Sequence, residues 1–78
     1  MMKNLIGQRV RQARDKRYPR MSQQELAARL QIAGTRIDRT SIAKIEARTR
    51  TVTDLELVAI AAALGVTPEW LLFGGAAG

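Results

Sequence analysis

The apolar positions of this chain recur at helical spacing almost from end to end, and no stretch alternates with period two between turn residues. Ile6, Val10, Ala13 and Arg17 share one face at intervals of four, three and four, which predicts a first helix from about Lys3 to Arg17. Arg9, Arg11, Arg14 and Lys16 fall elsewhere or at the edges of that face. Tyr18-Pro19-Arg20 ends the helix, because a proline biases the residue before it away from helical backbone. Ser22-Gln23-Gln24-Glu25 has the pattern of a capping box, in which the serine accepts from the Glu25 amide and the Glu25 carboxylate reaches back. It opens a second helix with Leu26, Ala27 and Leu30 on its apolar face, fading at Gln31-Ile32-Ala33-Gly34, where glycine offers a positive φ. Asp38 is the expected N-cap of a short third helix through Ala47, with Thr40 as the alternative cap. Ile42 and Ile45 turn inward there, and Arg39, Thr40, Ala43 and Lys44 fall largely on the opposite side. After the polar loop Arg48 to Val52, a second capping box, Thr53-Asp54-Leu55-Glu56, opens a fourth helix to Leu64, closed by Gly65. Thr67-Pro68-Glu69 supplies N-cap, first-turn proline and first-turn acid for a fifth helix through Trp70, Leu71 and Leu72.

The expected fold is all-α: a compact five-helix bundle over residues 1–73, followed by a flexible small-residue tail over 74–78. Its expected core is Ile6, Val10, Leu26, Leu30, Ile42, Ile45, Leu57, Ile60, Leu64 and Trp70. The fourth helix carries one inward stripe (Leu57, Ile60, Ala61, Leu64) and a second one formed by Leu55, Val58, Ala59 and Ala62. With Trp70 and Phe73, the second stripe is a candidate homodimer interface; the alternative is that the fifth helix covers it within one chain.

Composition narrows the function. A chain of 78 residues is one domain, too small for a deep substrate cavity. It has no cysteine and no histidine, so disulfides, thiolate chemistry, the usual general base and the commonest metal ligand are all missing. No nucleophile–base pair is legible, and Glu46 has no second carboxylate to work with. The expectation is a protein that is not an enzyme, with no cofactor and no metal. Charge points elsewhere. All 13 Lys and Arg lie between Lys3 and Arg50 with four acids among them, giving 13 − 4 = +9, while the seven acids leave three for residues 51–78, or −3. So lopsided a distribution suggests a polyanion partner for the N-terminal two-thirds. The N-terminus has no apolar signal region, and the apolar run Leu57 to Val66 is ten residues long where a span needs about twenty. A cytoplasmic, nucleoid-associated protein is expected, with no membrane partner: the apolar face of the first helix is needed by the core.

Three segments carry a resemblance. Ser22-Gln23-Gln24-Glu25-Leu26-Ala27, then Thr40-Ser41-Ile42-Ala43-Lys44-Ile45-Glu46, then Leu57 to Val66 resemble the phage repressor and Cro family of helix-turn-helix domains, the XRE type, over about residues 4–73. The resemblance implies a repressor-like DNA-binding domain whose third helix enters the major groove of double-stranded DNA. It implies base contacts from Arg39, Thr40 and Lys44, with Ala43 near enough to meet a thymine methyl. It implies that Gln23 sits against the sugar-phosphate backbone, and that Arg14 and Glu46 form a structural ion pair aiming the third helix. The residues around that helix support further phosphate contacts from Arg48, Thr49 and Arg50, with Arg36 in the turn and Arg20 before the second helix. The chain departs from the family in a longer connection through Ala33-Gly34-Thr35-Arg36-Ile37-Asp38, a longer join between the first two helices, and Arg48 where a glycine is common.

The functional expectation is a sequence-specific, dimeric transcriptional regulator, a repressor occupying a near-palindromic operator, with no room for a small-molecule effector domain. The competing class is a protein-interaction module, such as an antitoxin-like partner, that uses the apolar C-terminal face.

Overall fold

Side-chain oxygens start four of the five helices. The computed structural model describes residues 3–74 and contains α1 (Lys3–Lys16), α2 (Gln23–Ile32), α3 (Arg39–Glu46), α4 (Asp54–Leu64) and α5 (Pro68–Phe73), with no strand among the described residues. Ser22 Oγ accepts from the Glu25 amide at 3.0 Å, Asp38 Oδ1 from Ser41 at 2.8 Å, Thr53 Oγ1 from Glu56 at 3.2 Å and Thr67 Oγ1 from Trp70 at 3.0 Å. Each cap stabilises its helix by about 1 kcal/mol. Asp38 is thus the cap of α3, not Thr40. The second half of the capping box forms only at α4, where Glu56 Oε1 accepts from the Thr53 amide at 3.0 Å. Glu25, expected to reach back to Ser22, instead faces Arg29 one turn on, at 3.4 Å.

The helices end as locally. Gly34 and Gly65 take positive φ, and so does Arg48, at 68°. After α3, the Arg48 amide donates to the Ile45 carbonyl at 3.1 Å and the Thr49 amide to the Lys44 carbonyl at 2.9 Å, the paired bonds of a left-handed cap.

Packing then sets α1 behind everything else. It touches α3, α4 and α5, while α2 packs on α3 and α4, and α4 on α5. Ile6, Val10, Leu26, Leu30, Ile42, Ile45, Ile60 and Leu64 are buried together. Leu57 and Trp70, expected in the core, are only half-buried against it. Met21, Ile37 and Leu71 are fully buried and complete the core from the joins before and after α2 and from α5. Gly7 is buried where α1 crosses the end of α3, and a Cβ there would overlap the Ile45 carbonyl oxygen.

Arg9 of α1 and Arg17, just past its end, finish other helices. Arg9 Nη1 donates to the carbonyls of Leu71 and Leu72 at 3.1 and 2.8 Å, closing α5, and Arg17 Nη1 donates to Leu64 at 3.2 Å, closing α4. A cation at a helix C-terminus satisfies free carbonyls and complements the dipole, worth about 0.3–1 kcal/mol each. The expected tail over 74–78 falls, from residue 75 on, outside the described residues.

Candidate nucleic-acid interface

Helix α3 hides Ile42 and Ile45 and leaves Arg39, Thr40, Ala43 and Lys44 exposed, as their spacing requires. Its axis is fixed from behind. Arg14 is 4% exposed and grips Glu46 with two bonds, Nε to Oε2 at 2.7 Å and Nη2 to Oε1 at 2.8 Å. Its Nη1 donates to the Met21 carbonyl at 3.0 Å. The paired carboxylate holds the guanidinium above its usual pKa, against the opposing effect of burial. Gln23, at the start of α2, donates its amide to Glu46 Oε1 at 3.0 Å. One carboxylate at the last turn of α3 therefore ties α1, α2 and α3 together. Gln23, expected against the DNA backbone, is half-buried in this network, with part of its amide already engaged.

The residues beyond α3 divide into held and unheld. Arg50 is paired to Glu56, with Nη2 to Oε2 at 2.8 Å and Nη1 to Oε1 at 3.2 Å. The carboxylate raises the Arg50 pKa, and Arg50 holds Glu56 below the usual carboxylate range. Arg50, expected on a phosphate, also braces the α3–α4 loop against the first turn of α4. Thr49, also expected on a phosphate, is exposed, and its hydroxyl and its amide both donate to the Lys44 carbonyl. Arg36, Arg39, Lys44 and Arg48 are exposed and make no salt bridge or side-chain hydrogen bond among the described residues. They lie on the turn, on α3 and just past it. Asp38 is the acid in this stretch; the Ser41 amide holds its carboxyl below the usual range.

A groove of about 640 Å³ flanks this surface, between α1 and the first turns of α2 and α3. Its floor is the Arg14–Glu46 pair, and its rim carries Arg11, Arg20, Ser22, Gln23, Gln24 and Arg39. Arg11 was not singled out from the sequence, although its position one turn before Asp15 places the two on one face of α1.

The candidate dimer residues behave unequally. Leu55, Val58 and Phe73 are exposed, at 84%, 55% and 71%, as is Ala62; Ala59 and Trp70 are half-buried against the core. α5 does pack on α4, but it leaves Leu55, Val58 and Ala62 exposed. No helix among the described residues is long and apolar enough to cross a membrane, and no cluster of three metal-capable side chains forms there.

A family model described as helix-turn-helix matches residues 10–71. No curated protein matches the chain.

Proposed function

The chain belongs to this XRE-type helix-turn-helix family of DNA-binding regulators, and on that premise we propose that it is a sequence-specific transcriptional repressor reading the major groove with α3. The observation that carries the reading is the contrast among its cations. Arg9, Arg14, Arg17 and Arg50 are engaged inside the fold, whereas Arg36, Arg39, Lys44 and Arg48 stand exposed on and around α3. In this reading Arg39 and Lys44 donate to guanine O6 and N7, Thr40 bonds a base edge, and Ala43 meets a thymine methyl. Arg36 and Arg48 grip phosphates on either side, with Gln23 donating its remaining amide hydrogen. Arg50 and Thr49 hold the loop that presents Arg48. The protein acts in the cytoplasm, on the nucleoid, and has no catalytic role.

Selection from a random duplex pool yields the preferred site. Arg39→Ala or Lys44→Ala is then expected to lose about 1–3 kcal/mol of discrimination at one base position, measured by competition between cognate and scrambled duplexes. Variants that keep the wild-type preference would refute the assignment of α3.

Arg48 permits a test in which stability and binding move in opposite directions. Its positive φ is costly for any residue with a Cβ, so Arg48→Gly is expected to raise unfolding stability by up to about 1 kcal/mol. The same change is expected to weaken binding to every duplex about equally, because it removes one phosphate contact.

A two-fold pair of chains sets two copies of α3 about 34 Å apart on successive major grooves. The exposed Leu55, Val58 and Phe73 support such a homodimer. The same apolar side chains favour the second reading, an interaction module of the antitoxin kind. Sedimentation separates them: the purified chain alone at twice its mass favours the homodimer, and a monomer that pairs only with a different co-purifying protein favours the module.

A further inference from the structure

We propose that the groove beside α3 is a second phosphate-binding strip, and that Asp15 sets its strength by competing with the nucleic-acid backbone for Arg11 and Arg20. The inference rests on the DNA-binding reading above; it takes up Arg20, named from the sequence, and adds Arg11 and Asp15 on α1.

Three features carry it. First, Asp15 holds both arginines: Oδ1 accepts from Arg20 Nε at 2.7 Å, and Oδ2 lies 3.9 Å from Arg11 Nε. Second, Arg11 on α1 and Arg20 in the join after it line one side of a groove whose other wall begins with Ser22, Gln23 and Gln24 and ends at Arg39, the first residue of the proposed reading helix. A duplex laid on α3 brings a phosphate strand along this line. Third, the tethers are exposed. The arginine side chains are 68% and 65% accessible and Asp15 is 41% accessible.

Exposed ion pairs of this kind contribute about 0–1 kcal/mol, so a phosphate can displace the carboxylate at little cost. The exchange replaces one anion by another on the same guanidinium groups. Asp15 therefore lowers net affinity in two ways: it must be displaced, and its own charge repels the strand that displaces it. The Arg14–Glu46 pair on the groove floor differs, being buried and bidentate, and keeps its partner throughout.

The test is Asp15→Asn, measured by fluorescence anisotropy on a short mixed-sequence DNA duplex across a salt series. The variant is expected to bind about three- to tenfold more tightly at low salt, with a log–log salt slope steeper by about one. In an Arg11→Ala/Arg20→Ala background the same substitution is expected to change almost nothing. Glu69→Gln on α5 is a charge-matched control, expected to leave affinity near wild type.

Wild-type binding that is steeply salt-dependent, together with an unchanged Asp15→Asn affinity, would overturn the role of Asp15 and leave α3 as the reader. An equal gain from Glu69→Gln would overturn it as well, by reducing the effect to net charge. A wild-type chain that binds no duplex at low salt overturns both readings.

Discussion

Arg14→Ala is expected to cost the fold about 3–5 kcal/mol, the penalty of leaving a buried charge without its partner. The paired side chains are 5% and 7% accessible, so little water reaches Glu46 while the guanidinium is in place. Of the three groups that now meet at that carboxylate, only Gln23 would remain. The Met21 carbonyl would lose its donor as well. For a small domain whose total stability is about 5–15 kcal/mol, this is a large fraction. Urea denaturation measures it, with the midpoint shift read at constant slope. Arg14→Ala/Glu46→Ala is expected to recover part of the loss, because no orphaned carboxylate remains. A single-variant cost below about 1 kcal/mol would mean that the pair is solvated and does not aim α3.

Gly7→Ala carries the second large effect, and its sign is informative. In an open helix the change is favourable by about 1 kcal/mol, since alanine is the better helix former. Here the new methyl would overlap the Ile45 carbonyl oxygen and sit 3.0 Å from the Ile45 carbonyl carbon and 3.2 Å from Glu46 Cα. All three are backbone atoms, which cannot swing aside as the tip of a side chain can. α1 and α3 must separate, stretching the Arg14–Glu46 bonds just beside the contact. The expected net loss is about 1–3 kcal/mol, seen as a lower Tm by calorimetry. A rise in Tm would show that the helices do not approach this closely. Both variants are expected to weaken DNA binding beyond their loss of folded protein, because each loosens α3 from the frame that orients it.

Local chemistry made most of this architecture legible. Ser22, Asp38, Thr53 and Thr67 mark helix starts by what their own oxygens reach three residues on, and the isoleucine pair of α3 reveals its outward face by spacing alone. Met21 and Ile37 were not legible as core: each is a single apolar residue in a polar join, with no period to betray it. Leu71 sits in a helix of six residues, too short for a stripe to be read. Gly7 was silent for a different reason, since the close approach that requires it belongs to another helix.

The cations divide in the same manner. Charge counting locates thirteen basic residues but not their partners. Arg9 and Arg17 meet carbonyls 62 and 47 residues away, and no composition foretells that. The unpartnered group around α3 was legible because it is defined by local position. The engagement of Arg50 was not, because it depends on how Glu56 turns at the first turn of α4.

The extended connection before α3 has a consequence of its own. Ile37 is fully buried within it, the Thr35 hydroxyl donates to the Leu30 carbonyl at 2.9 Å, and the same oxygen accepts from the Ile37 amide at 3.2 Å. The added length is therefore plugged into the hydrophobic interior midway, leaving no slack to swing. It acts as a rigid spacer that holds Arg36 and Asp38 on either side of a fixed peg. Length added in this way shifts the start of α3 while keeping the helix tied to the interior by one apolar anchor.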